Sequence, residues 1–414
     1  MKPFFTEKIQ IKSKITLIEN QTILHDDRDD ENIEEIISED NEISEVFNNY
    51  FINIVPNLNI STVISGNDDF IETNDPISNA IKKFSDHPSI FMIKNKNLIQ
   101  NKFSFCNVTF EDVLEKVICL NSTKASQNTD IPTKVIKTNS SFFAEFFSEN
   151  INYCIENSKF PYDLKLADVI PVHKKKSKNS KDNYRPVSIL SNISKIYERS
   201  LYEQIETYFE NIFSKYQCGF RKGYNAQHCL MVLIEKWKKS VDNGGVFGAL
   251  LTDLSKAFDC LNHELLIAKL HAYGFDFNSL KLIYEYLANR KQRVKVNDSF
   301  SSWGKISFGV PQGSILGPLL FNIFIRDMFY FLEGFQVANY ADDTTPFSDG
   351  KDNDCVIKNI EQSSSALFEW LKKNYMKVNT DKSHLLMSGN SKVISVIDSN
   401  LIESENEQVL LGVL

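Results

Sequence analysis

The sequence predicts an α+β chain, and three observations carry that expectation. Ile193, Ile196, Tyr197, Leu201, Ile205, Tyr208 and Ile212 recur at helical intervals, the spacing of a helix with one face on a core. Val246-Phe247-Gly248-Ala249-Leu250-Leu251 is a short unbroken apolar run, the pattern of a buried strand. From there to about residue 390, strand-like and helix-like stretches alternate, with Arg293-Val294-Lys295-Val296-Asn297 reading as a strand of period two.

Taken in order, residues 1–104 are polar and rich in Asn and Ile, with an acidic run from Asp26 to Glu45. They read as an extension and linker, with a short helix near Ile43 to Ile52. Residues 105–245 read as helical, interrupted by a basic loop. In residues 246–390 the strand at Val246 is followed by a helix from Leu261 to Tyr273, with Asn262 as its cap and Gly274 as its stop. Leu319 to Phe324 is apolar enough for a buried helix, and Val356 to Leu371 reads as an amphipathic one. Residues 391–414 begin a further element.

The 414 residues allow two or three lobes, and 42% hydrophobic content supports a sizeable core. Net charge is −8, unusual for a nucleic-acid binder, but much of the excess lies in the acidic run, and binding follows the local field rather than the sum. Cys106, Cys119, Cys154, Cys218, Cys229, Cys260 and Cys355 include no C-x-x-C pair, which argues against a zinc site or disulfide framework. No run reaches the roughly 18 apolar residues of a transmembrane span, so no membrane partner is expected.

Four segments carry chemistry. Tyr340-Ala341-Asp342-Asp343 sets two acids beside the mostly apolar stretch Phe335 to Asn339. Carboxylates next to a core are costly unless a cation neutralises them, and carboxylates with open coordination suit Mg²⁺. Asp253 follows the apolar strand in Thr252-Asp253-Leu254-Ser255-Lys256-Ala257-Phe258-Asp259. If that strand lies beside the Tyr340 hairpin, the acids face each other and can clamp two metals about 3.5–4 Å apart for displacement at phosphorus. Between them, Gly309, Pro311, Gln312, Gly313, Gly317 and Pro318 mark a shaped loop, in which glycine lets backbone approach a flat ligand. Upstream, Lys174, Lys175, Lys176, Lys178, Lys181 and Arg185 face the single acid Asp182, a loop suited to phosphate. Each segment alone is equally readable as a turn or a solvated charge run. Their order makes the case.

That order resembles the reverse transcriptases of non-LTR retrotransposons, most closely the jockey-like group. The resemblance also takes in Tyr184-Arg185-Pro186, Gln217 to Gly223, Asn339 to Asp343, Val378 to Ser383 and Leu410 to Val413, and covers about residues 105 to 414. It implies a right-hand polymerase fold, with residues 105–245 as helical fingers and 246–390 as an antiparallel-sheet palm. It implies metal binding by Asp253, Asp342 and Asp343, with two Mg²⁺ ions expected and Mn²⁺ as a substitute. Phe258 stands at the position of the aromatic steric gate that prefers dNTP over rNTP. Gln312 and Gly313 match the contact to the incoming nucleotide and template base. Lys174 and Arg185 match the triphosphate clamp, the choice among Lys174, Lys175 and Lys176 staying open. Lys382 matches the lysine near the leaving phosphate, and Asp259 reads as structural, bonding a loop backbone. The implied partners are an RNA template, a DNA primer strand and dNTPs, in an intracellular setting, nuclear or cytoplasmic.

Asn121 to Pro132 departs from the Gly-Pro-Asp-Gly turn of many relatives, although Asn and Ser make comparable turns. By the same resemblance a thumb would follow residues 391–414 and an endonuclease domain would precede the polymerase. The chain therefore reads as a piece of a larger element protein whose nick is made elsewhere. Two further readings stay open: a catalytically inactive nucleic-acid-binding remnant, and a DNA-templated or template-independent polymerase.

Overall fold

The computed structural model describes residues 17–22, 32–58, 73–96, 101–122, 127, 131–388, 394–397 and 400–405. Most of the acidic run before residue 32, much of the Asn121–Pro132 turn and the Leu410–Val413 segment lie outside the described residues.

Strands β1 (Leu17–Thr22) and β2 (Asn32–Ile37) pair with each other. Helices α1 (Asp40–Ile52), α2 (Ile54–Asn57), α3 (Pro76–Lys83) and α4 (Pro88–Asn95) follow, then α5 (Phe110–Ile118), α6 (Thr133–Thr138) and α7 (Ser140–Asn157). The middle of the chain holds β3 (Leu166–His173), β4 (Tyr184–Ile189), α8 (Asn192–Phe209), α9 (Ala226–Asp242), β5 (Val246–Leu254), α10 (His263–Ala272) and α11 (Phe277–Leu287). Next come β6 (Lys291–Val296), β7 (Ser299–Phe300), β8 (Gly304–Lys305), α12 (Leu316–Phe324) and α13 (Met328–Phe331). The remaining elements are β9 (Gln336–Tyr340), β10 (Asp343–Gly350), α14 (Asn353–Lys373), β11 (Val378–Met387), β12 (Ile394–Ile397) and β13 (Asn400–Glu405).

The expected mixture of helix and sheet is what the chain adopts, and the strongest patterns fall where they were read. The Asn262 side chain accepts from the Leu265 backbone N–H at the start of α10, and Gly274 takes φ +90° just past its end, where a left-handed residue stops a helix. No helix among the described residues is long and apolar enough to cross a membrane.

One sheet runs β12-β13-β11-β5-β10-β9. Its centre is β5, antiparallel to both β10 and β11. Alternate β5 residues face opposite sides. Phe247 and Ala249 pack with Cys229 and Leu233 of α9, whereas Leu250 packs with Val356 and Ile360 of α14. Helices thus cover both faces and hold β5 rigidly, leaving its carboxyl end to carry chemistry.

A second sheet runs β4-β3-β6-β7, with β8 also on β6. Here the structure differs from the helical expectation for 105–245. The basic loop connects two paired strands, and β3 pairs parallel with β6 from the 246–390 stretch. The two stretches therefore share a sheet. The N-terminal region is also more than a tether where it is described. Ile43, Phe47 and Phe51 of α1 bury against Val169, Tyr184, Val294 and Val296 of this sheet. Ile77 and Ala80 of α3, Phe84 just past its end, and Ile90 and Ile93 of α4 enter the main core with Leu265, Leu266 and Ile267 of α10.

Candidate active site

The Tyr340 tetrad is a hairpin. Asp343 pairs with Tyr340, so Ala341 and Asp342 form a two-residue turn. Ala341 takes φ +58°, a left-handed conformation costing an L-residue about 1–2 kcal/mol. Asn339, fully buried beneath, offsets that strain. Its Nδ2 donates to the Ala341 carbonyl at 2.9 Å, to the Asp343 carbonyl at 3.2 Å and to Thr344 Oγ1 at 3.0 Å. Outside the turn, Cys218 N–H donates to the Asn339 carbonyl and Asn339 N–H to the Tyr216 carbonyl, closing the edge of β9. Gly219 is the enabling residue, because a Cβ there would stand 2.1 Å from the Ala341 nitrogen.

Asp253 is the penultimate residue of β5, with Thr252 opposite Thr344 and Asp253 opposite Asn379. The three acids therefore gather at one end of one sheet, and their electrostatics register it. Burial, followed by Asp253, pushes the Asp342 carboxyl above the usual range, against the pull of Arg185 and Lys174. Burial, then Asp342 and Asp253, push Asp343 up to about 6. Asp253 is met by Lys382, whose Nζ lies 2.8 Å from Oδ2.

This all-oxygen donor set, short of positive charge, fits a hard divalent cation. Asp253, Asp342 and Asp343 are the side chains that could hold it. Among the described residues no group of three or more His, Cys, Asp or Glu side chains closes on one point as a ligand cage. Mg²⁺ does not need one, since it is held by one or two carboxylates with waters and substrate phosphates completing the shell.

The raised carboxyls give a pH test. Between pH 4 and 6 the unfolded chain releases the Asp343 proton while the folded chain still holds it, so stability falls as pH rises through that window. Asp343→Asn removes the effect. In EDTA at pH 7.5 the variant is expected to be more stable than the parent by about 1 kcal/mol, after allowance for screening. The gain should vanish below pH 4. Melting curves across pH check this, and a variant no more stable than the parent at pH 7.5 removes the repulsion argument.

The cations stand across from the acids. The basic loop folds back on itself, with Lys174 N–H donating to the Asn183 carbonyl at 2.8 Å. Arg185 lies on β4 opposite Val172. Partial burial, then Lys256, Arg185 and Lys382, push the Lys174 ammonium down to about 8. Lys175 and Lys176 are exposed, as Lys174 is, so exposure does not choose among the three.

At two of its glycines the Pro-Gln-Gly loop packs closely on protein backbone. A Cβ at Gly309 would meet the Phe258 carbonyl at 2.6 Å, and one at Gly313 the Ser188 carbonyl at 2.6 Å. Ser188 N–H in turn donates to the Gln312 carbonyl at 2.8 Å, tying the loop to β4. Asp259 bonds a side chain rather than the loop backbone, since Gln312 Nε2 donates to its carboxylate oxygens at 3.0 and 3.2 Å. The Phe258 ring is partly buried, with its centroid 4.5 Å from that of Phe321 and 5.7 Å from that of Phe220.

Two residues near the site escaped sequence reading. Glu198, fully buried on α8, accepts from the Ile315 and Leu316 N–H groups at 2.6 and 3.1 Å and so fixes the start of α12 directly behind the Pro-Gln-Gly loop. Its signal was an acid inside an apolar helical stripe. Lys256 lies three residues past Asp253, and its only signal was a charge directly before Ala257-Phe258.

The family profile described as "Reverse transcriptase (RNA-dependent DNA polymerase)" matches residues 172–412. The probable RNA-directed DNA polymerase from transposon BS of Drosophila melanogaster is 29% identical over 234 residues, 54% of this chain and 26% of that protein. The RNA-directed DNA polymerase from mobile element jockey of the same organism is 27% identical over 285 residues, 66% of this chain and 31% of that protein. The group II intron-encoded protein LtrA of Lactococcus lactis subsp. cremoris is 27% identical over 152 residues, 36% of this chain and 23% of that protein. The chain spans about a quarter to a third of the length of the two Drosophila proteins. The resemblance to jockey-like elements is borne out by these relatives. With more than half its length matched by the profile, and its acids gathered at one end of one sheet, the chain belongs to the reverse transcriptase (RNA-dependent DNA polymerase) family.

Proposed function

We propose that this chain is an RNA-directed DNA polymerase that joins a dNTP to a primer 3′-hydroxyl on an RNA template. The observation that carries the proposal is the meeting of Asp253 with Asp342 and Asp343 on neighbouring strands, opposite Lys174 and Arg185. In this reading the sheet centred on β5 is the palm of a right-hand polymerase, and residues 105–245 are its fingers. Residues 1–104 are an N-terminal extension, and 391–414 start the connection to the thumb. The primer end comes from a nick made by another domain or protein.

Reverse transcriptases generally use divalent metal ions, and here Asp253, Asp342 and Asp343 would hold two Mg²⁺ ions, with Mn²⁺ as a substitute. When bound, the ions make the attacking hydroxyl more acidic and neutralise the leaving pyrophosphate. The chain's own residues do the rest. Lys174 and Arg185 bind the triphosphate through charge-assisted hydrogen bonds. Lys382, ion-paired with Asp253 at 2.8 Å, would be free to meet the leaving phosphate once a cation neutralised that acid. Gln312, oriented by Asp259, and Gly313 contact the nucleotide and the template base. The Phe258 ring, seated on Phe321, lies under the sugar and leaves no room for a 2′-hydroxyl.

Extension of oligo(dT) on poly(rA) with Mg²⁺ tests the reading, with poly(dA) as the comparison template. RNA-templated extension is the expected result. Binding without extension would favour an inactive nucleic-acid-binding remnant, and extension on poly(dA) alone a DNA-templated enzyme. Phe258→Ala is expected to reduce discrimination against rNTPs by about tenfold to a hundredfold, read as the ratio of kcat/KM for dTTP and UTP. An unchanged ratio removes the gate.

A further inference from the structure

We propose that Lys256 is a fourth phosphate-binding cation of the nucleotide site, and that Tyr50, carried in by α1 from the N-terminal region, is the residue that seats it. This rests on the nucleotidyl-transfer reading of the cleft and adds to it two residues that the reading does not require.

The backbone comes first. Lys256 takes φ +53°, in a turn where its carbonyl accepts from the Asp259 and Cys260 N–H groups at 2.9 and 3.1 Å. Asn, Asp and Gly enter this left-handed region readily, and lysine has no local hydrogen bond that rewards it for doing so. A strained conformation persists when the surroundings over-determine it, and such sites cluster where ligands are held. Here the turn leads straight from Asp253 to Phe258.

The side chain is the second observation. The Lys256 ammonium is buried and makes no hydrogen bond. An ammonium has three donors, and leaving them all unused inside a protein is costly. Its close neighbour is the Tyr50 ring, 5.4 Å from nitrogen to centroid, a cation–π seat that gives attraction without using the donors. Asp182, from the basic loop, stands near the Tyr50 hydroxyl.

The neighbourhood is the third. Lys256 stands within electrostatic reach of Lys174, Arg185 and Lys382, each of which repels it, while Asp259 and Asp182 only partly compensate. Four cations that repel one another, one with every donor free, form a receptor for a polyanion. A triphosphate has enough oxygens to serve all four. The ring of Tyr50 keeps the Lys256 ammonium from leaving for solvent while the site waits.

The test is equilibrium binding of dTTP, with Mg²⁺, to the full chain on poly(rA) carrying an oligo(dT) primer ended by a dideoxynucleotide, so that no bond can form. Lys256→Met is expected to weaken dTTP binding about tenfold, a loss of one charge-assisted contact, with template–primer affinity unchanged. Lys256→Arg should stay within about threefold of the parent. Tyr50→Leu should lose about threefold and Tyr50→Phe, which keeps the ring, should lose little. Undiminished dTTP binding by Lys256→Met overturns the proposal. So does an equal loss of dTTP and template–primer binding, which marks a merely structural lysine. With an unblocked primer the polymerase reading is scored separately. A parent chain that binds dTTP through Lys256 but extends nothing sinks that reading and keeps this one. A parent chain that binds no dTTP sinks both.

Discussion

Asp342→Asn is expected to abolish primer extension, with kcat falling on the order of 10³-fold or more, about 4 kcal/mol of transition-state stabilisation. Asparagine keeps the shape of the side chain and removes the charge a divalent cation would neutralise. The turn should survive, because it is held by Asn339, whose hydrogen bonds run to the Ala341 and Asp343 carbonyls and the Thr344 hydroxyl. Burial and Asp253 already disfavour the charged form of Asp342, so the variant should melt no lower than the parent. Template–primer affinity should stay within about twofold, since it is set mainly by cations on the phosphate backbone. A variant that kept more than about a tenth of the parental rate would show that Asp342 is not a metal-binding acid.

Asp327→Ala should produce the largest loss of stability. Asp327 and Lys269 are both fully buried, with Lys269 Nζ 2.6 Å from Asp327 Oδ1. Lys269 also donates to the Phe324 carbonyl at 2.7 Å, and Trp370 Nε1 donates to Asp327 Oδ2 at 2.7 Å. One carboxylate thus joins α10, α14 and the stretch after α12. Removing it strands a buried ammonium, at a cost of about 3–5 kcal/mol, or roughly 5 °C in Tm for a chain of this size. Replacing both charges by Lys269→Met with Asp327→Leu should recover most of the loss, because no unpaired charge remains. Calorimetry of the single and double variants decides it. A single variant within about 1 kcal/mol of the parent would mean that the pair is not structural.

The same pair shows where sequence reading stopped. Lys269 sits inside an apolar helical run and its partner lies 58 residues away, so no local pattern announces it. Local patterns were dependable where the physics is local. The helical stripe became α8, the apolar run became β5, and Asn262 and Gly274 bounded α10. The acids were legible because charge beside apolar strands is unusual at any range. What was illegible depends on tertiary partners. Strand β3 was hidden because it looks like the approach to a basic loop, and its pairing with β6 crosses more than a hundred residues. Helices α3 and α4 read as linker because each contributes only a few apolar residues to a core supplied by others. The Gln312–Asp259 bond and the Lys256–Tyr50 contact exist only once separate segments have met.

Gly219 carries no chemistry, yet its bare α-carbon is what lets the chain lie flat against the Ala341 nitrogen. A single added methyl there has nowhere to go except into the bend that aims Asp342. In a library selected for loss of DNA synthesis, that position should therefore surface beside the acids themselves, as a defect of aim rather than of reactivity.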